Sequence, residues 1–208
     1  MKPVFLIAFV LFTVPVWGQN ADSLAVVRQV DSLIQASRDL TAKRDFEKAL
    51  EVNEAAEKIA LENFGWESVA YGDCCSNHGR VLHIKGDYAK AEARYLNSKE
   101  IRKKILGDEH PHYAAVLNNL AILYETIGQY EKAEPLLIEA KDIQEKALGK
   151  EHPDYALSLN NLAIVYNDMG QYEKAELLLI EAKAILKKAL GNEHPDYLSG
   201  DLVVIVTV

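Results

Sequence analysis

The sequence predicts an all-α protein, an α-solenoid of stacked antiparallel helix pairs. Two neighbouring stretches carry this expectation: 107–148 and 149–190 agree at 30 of 42 positions without a gap. Their shared text is G-x-E-H-P-x-Y-A-x-x-L-N-N-L-A-I-x-Y-x-x-x-G-Q-Y-E-K-A-E-x-L-L-I-E-A-K, with apolar residues at helical spacing on both sides of a Gly-Gln-Tyr break. A fixed period of this length marks an array in which each unit buries its apolar face against its neighbours. The chain has 208 residues, of which 49% are apolar, so a core is within reach and global disorder is excluded.

The pattern persists when followed backwards. A shift of 42 brings Gly128-Gln129-Tyr130-Glu131-Lys132-Ala133 onto Gly86-Asp87-Tyr88-Ala89-Lys90-Ala91, and a further shift reaches Asp45-Phe46-Glu47-Lys48-Ala49. The units are about 23–64, 65–106, 107–148 and 149–190. The first is the most degenerate, as befits a terminal unit that meets water on one side. In the third unit, helix A begins at Pro111, a residue favoured at the first helical position, where its missing N–H is not needed. Leu117, Leu120, Ala121 and Tyr124 form its apolar stripe, and Gly128 ends it. Helix B turns Tyr130, Ala133, Leu137, Ala140 and Ile143 inward, with Ala121 and Ala133 small so that the two backbones approach.

Both ends depart from the repeat. Met1-Lys2-Pro3, the apolar run Val4–Val16 and Val16-Trp17-Gly18 read as a secretory signal peptide cut near Gly18, so 1–18 is expected to be removed and the protein exported, periplasmic or secreted. A run of about 13 residues is short for a stable membrane span. No Cys follows it, so a lipid anchor is not indicated. At the other end, 191–197 opens a fifth repeat, and 198–208 abandons it for a hydrophobic tail with strand character, Leu202–Val208. A truncated array explains this better than the start of a further domain. The uncapped end face offers a surface for self-association.

Several chemistries are disfavoured. Formal charge is −8, from 31 acidic and 23 basic residues, which argues against nucleic acid as partner. Cys74 and Cys75 are adjacent on a helix and point about 100° apart, so they cannot pair; Cys75 reads as a small core residue and Cys74 as its flank. His110, His152 and His194 occur once per repeat, roughly 10–20 Å apart by helix spacing. One Zn²⁺ needs all its ligands about 2 Å away. These histidines are therefore connector residues beside helix N-termini, and no metal or cofactor is expected. His78 beside the cysteines falls in the core slot of Leu120 and Leu162, and no nucleophile or phosphate-loop motif occurs. The chain is not expected to be an enzyme.

The order of Leu, small residue, Tyr, Gly, Tyr, Ala and Ala resembles the tetratricopeptide repeat, and the 42-residue period with its G-x-E-H-P-D connection resembles the subtype of kinesin light chains. The resemblance implies a right-handed superhelix whose A helices face a concave groove that binds protein segments or extended peptides. Asn118-Asn119 and Asn160-Asn161 recur in mid-helix, with Asn77 in register before them. Such amides either bond neighbouring helices and fix the stack, or, as the resemblance implies, clamp a peptide backbone. Further along the same face lie Arg80 and His83, then Ile122 and Glu125, then Ile164, Asn167 and Asp168. A bound peptide is expected to put its acidic part near Arg80 and its basic part near Asp168. The expected function is an exported binding scaffold. The alternatives are the sensing arm of a longer protein with a caspase-like protease domain, which the resemblance also implies, and a self-stacking structural array.

Overall fold

The computed structural model describes residues 16–190, which form eight α-helices. The signal-peptide expectation for 1–18 lies almost wholly outside them, as do the fifth-repeat opening at 191–197 and the tail at 198–208. The helices are α1 (Val16–Ala42), α2 (Phe46–Phe64), α3 (Val69–Lys85), α4 (Tyr88–Leu106), α5 (Pro111–Thr126), α6 (Tyr130–Leu148), α7 (Pro153–Asp168) and α8 (Tyr172–Leu190). They pack as the pairs α1/α2, α3/α4, α5/α6 and α7/α8. Each pair meets only the pairs beside it, so among the described residues the molecule is a one-dimensional stack.

Local chemistry sets the helix ends. The recurrent histidine of the connector is an N-cap. His110 Nδ1 accepts the His112 N–H, and His152 Nδ1 accepts the Asp154 N–H, both at 3.1 Å, each just before a proline at the first helical position. Ser68 does the same for α3, accepting the Tyr71 N–H at 3.2 Å. At the hairpin turn, Gly128 adopts φ +72°; its N–H bonds Glu125 O at 2.8 Å and the Gln129 N–H bonds Tyr124 O at 2.7 Å. In the first unit Arg44 holds this position at φ +61°, with the equivalent bonds from Arg44 and Asp45 at 2.9 and 3.0 Å.

The core runs along the stack where helix A meets helix B. Leu120, Ala121, Ala133 and Leu137 are closed to solvent, and the matching Leu82, Ala91, Leu162 and Ala163 continue the cluster. Unit two reaches the same packing by another route. Gly79 replaces Ala121, and Tyr95, buried at 1% exposure, replaces Leu137. A Cβ at Gly79 would stand 2.8 Å from the Tyr95 ring, so the larger side chain demands the smaller residue.

On the surface, Lys104 bonds Glu67 at 2.5 Å and Lys188 bonds Glu151 at 2.6 Å, with Lys146 and Glu109 between them in register. Each pair ties the last turn of helix B to the connector before helix A of its own unit. Exposed pairs of this kind contribute about 0–1 kcal/mol each, so they trim the hairpins while the apolar core holds them. Among the described residues, no helix is long and apolar enough to cross a membrane.

One expectation needs correction. Cys74 is not a flank: it is as buried as Cys75, and packs with Val30 and Ile34 of α1 and Ala56 and Ala60 of α2. In a stack, the face of helix A beside its own helix B stripe is covered by the preceding unit. Burial pushes both thiols above the ordinary range, Cys75 to about 11. His78 does occupy the core slot, and its Nδ1 meets Glu57 Oε1 at 2.6 Å.

Candidate functional site

The A helices α1, α3, α5 and α7 stand side by side, and the Arg28–Arg38 stretch of α1 with the N-terminal halves of the other three lines an open cavity of about 960 Å³. Arg28, Asp31 and Arg38 come from α1, Asp73 and Ser76 from α3, Ala115 from α5 and Asp154 from α7. Arg102 closes one side: it bonds Asp73 Oδ1 at 2.5 Å and His112 O at 2.8 Å, tying α4 to its two neighbours. His110 and His152 also reach this cavity, with Nδ1 already committed to capping. A second, smaller hollow of about 90 Å³ lies between α5 and α7, lined by Ile122, Glu125, Asn161 and Ile164 among others.

The expected site residues divide into two groups. Asn77 is 2% exposed and sits inside the stack: its Nδ2 donates to Ser37 Oγ and Asn53 Oδ1 at 3.0 and 2.8 Å, and its Oδ1 accepts from Arg38 Nε at 3.3 Å. Asn118 is also buried and donates to Ser158 Oγ of the next unit at 2.7 Å, while Asn161 donates back to Asn118 Oδ1 at 3.4 Å. Asn160 is buried at the register position of Asn118. The amides of Asn77, Asn118 and Asn161 join neighbouring A helices, so for Asn77 and Asn118 the stack-fixing role is the one the geometry carries. Asn119 is half-buried and donates to Ser76 Oγ at 3.3 Å.

The second group stays nearer the surface. Arg80, His83, Ile122, Glu125, Ile164 and Asn167 are half-buried, and Asp168 is exposed. The Arg80 Nε and Nη2 atoms are closed to solvent and meet no hydrogen-bond acceptor. Burial, then the charge of Arg38, holds its guanidinium pKa below the ordinary value. His83 Nε2 lies 3.0 Å from Thr126 Oγ1 of α5, and burial lowers its pKa. Glu125 is displaced upward, by burial first and then by the Asp168 carboxylate beside it. The groove is thus cationic near Arg38 and Arg80 and anionic near Glu125 and Asp168.

The sequence reading missed the α1 side of the groove. Arg38 lies 42 residues before Arg80, and Asp31 lies 42 before Asp73, so the signal was the repeat register itself. Also missed was the buried polar chain between units one and two. Asn53 Nδ2 donates to Glu57 Oε1 at 3.0 Å, and Arg94 bonds the other oxygen of Glu57 at 3.3 Å. Asn53 and Glu57 have helical i,i+4 spacing, but nothing in the sequence announces Arg94 as a partner of Glu57.

A stack of helical hairpins with an open cavity along its A helices defines a helical-repeat protein of the kind that presents a surface. The tetratricopeptide repeat model matches residues 69–142 and 127–188, and the chain belongs to that family. BtubC (BKLC) of P. vanneervenii is similar at 26% identity and a TM-score of 0.67, over 80% of this chain and 66% of that one. A protein of Podosopora anserina described as a kinesin light chain with nearly identical TPR-like repeats is similar at 28% identity and a TM-score of 0.68, over 83% and 82% of the two chains. RapI shares the fold at 21% identity and a TM-score of 0.66, over 85% of this chain and 46% of that one. No match was found among curated proteins. Repeats of this family generally serve as non-catalytic scaffolds for protein or peptide binding.

Proposed function

We propose that the chain is an exported scaffold that holds an extended segment of another protein in the groove of its A helices. The observation that carries this is the cavity of about 960 Å³ that crosses all four units and is lined by charged side chains of both signs. An extended segment suits such a surface because alternate side chains and the backbone can engage successive helices. Acidic residues of the ligand would lie toward Arg38 and Arg80, and basic residues toward Glu125 and Asp168. Affinity in the micromolar range, about −8 kcal/mol, is expected of such a site. The net charge of −8 supports a protein over a nucleic-acid ligand. The apolar run Val4–Val16 supports export.

The test is affinity capture from an exported protein fraction with the purified chain, alongside an Ala115→Arg variant. Ala115 is exposed and lines the cavity, so the new side chain obstructs it without entering the core. Proteins retained by the native array and lost by the variant support the reading. An identical retained set from both overturns it.

A further inference from the structure

One register position on the A helices reads Arg38, Arg80, Ile122 and Ile164 in successive units. It changes from cationic to aliphatic halfway along the array. Arg38 lines the large cavity and is held by the Asn77 amide oxygen at 3.3 Å, not by a carboxylate. Arg80, its counterpart on α3, has two guanidinium nitrogens that are buried and bonded to nothing. Buried donors without acceptors are costly, and a planar guanidinium is shaped to take a carboxylate. Two neighbouring guanidinium groups also repel each other until an anion comes between them.

The other half of the ladder has the opposite need. Ile122 and Ile164 are half-buried around the hollow between α5 and α7. Leu157, two turns before Ile164 on the same face of α7, is 46% exposed. Apolar surface of this kind gains from being covered and removed from water.

Helices packed side by side stand roughly 10 Å apart, and an extended chain advances about 3.3 Å per residue. One step of the array therefore matches about three ligand residues. From this we infer that the groove selects an extended peptide with an acidic side chain at Arg38 and Arg80 and aliphatic side chains about three and six residues further along. This rests on the groove-binding reading above and names the ligand class for it.

The experiment is fluorescence anisotropy with a labelled peptide Asp-Ser-Gly-Leu-Ser-Gly-Leu and the same sequence reversed, titrated with the full chain. Controls replace Asp by Asn, or move the leucines to adjacent positions. One direction of the parent peptide should bind, and each control should bind about tenfold more weakly, the worth of one charge-assisted hydrogen bond. Arg80→Gln and Ile164→Asp should reproduce those losses for their own half of the peptide. Arg38→Gln, at an exposed position, gives the same reading should the Arg80 variant fail to fold. Equal binding of parent and controls overturns the acidic–aliphatic assignment while leaving groove binding intact. No binding by either direction also overturns it, and the Ala115→Arg capture comparison then judges the groove reading separately.

Discussion

Exchanging Gly79 for Ala is the most direct test of how one unit is packed. The added methyl would lie 2.8 and 2.9 Å from Tyr95 Cδ1 and Cε1, and the ring has nowhere to go, being 1% exposed. Overpacking of this degree costs about 1–3 kcal/mol. Replacing a mid-helix Gly by Ala returns about 1 kcal/mol of helix propensity. The expected net loss is therefore about 1 kcal/mol. The partner change, Tyr95→Leu, leaves a void beside Gly79 and is destabilising alone. The double variant recreates the Ala121–Leu137 pairing of unit three and should recover much of both losses. Urea unfolding of the two single variants and the double variant, followed by circular dichroism, gives the cycle, with a coupling of at least about 1 kcal/mol expected. Strict additivity, or a Gly79→Ala variant more stable than the parent, would refute the claim that Gly79 is small because Tyr95 is large.

Arg44 holds a left-handed conformation that its counterparts fill with Gly. Arg44→Gly should stabilise the array by about 0.5 kcal/mol, because relief of backbone strain slightly exceeds the extra freedom of the unfolded chain; thermal unfolding reads it. His152→Ala removes the acceptor for the Asp154 N–H and should cost about 1 kcal/mol, whereas His152→Asp keeps an acceptor and costs little; chemical denaturation separates the two. Glu125→Gln should stabilise the folded protein at neutral pH by about 0.5 kcal/mol, a like-charge interaction at a partly solvated site. The Glu125 pKa is raised on folding, so its ionisation penalty is present above that folded value. The gain should fade as pH falls through the raised value and vanish below the ordinary carboxylate range, about 4.3. Melting curves of both proteins from neutral to acidic pH decide this, and a gain that persists in acid would exclude the electrostatic cause.

The stack itself was legible because one rule, shifting by 42, places Leu120 on Leu162 and Gly128 on Gly170. Pro111 and Gly128 announced their helix boundaries through backbone chemistry alone. The site was harder to read. An amide such as Asn77 donates and accepts equally well toward a neighbouring helix or toward a ligand, so its residue type does not decide between them. Its burial does, and burial depends on how far each unit rotates against the next. Arg38 was hidden for another reason: unit one keeps so few consensus residues that the register fades before reaching α1. His110 was placed beside a helix start, but its role as Nδ1 acceptor follows from a ring orientation that the sequence does not encode on its face. Glu57, His78 and Arg94 converge from three helices, and only the folded stack brings them together.

Each hairpin touches only its immediate neighbours, and units three and four present nearly the same surfaces. Excision of 107–148 would set α7 against α4 across a junction very like the one α5 makes now. Array length is therefore an adjustable dimension of this architecture. A gene that gains or loses one copy changes the reach of the groove by a single step, and leaves every remaining joint with a partner it already fits.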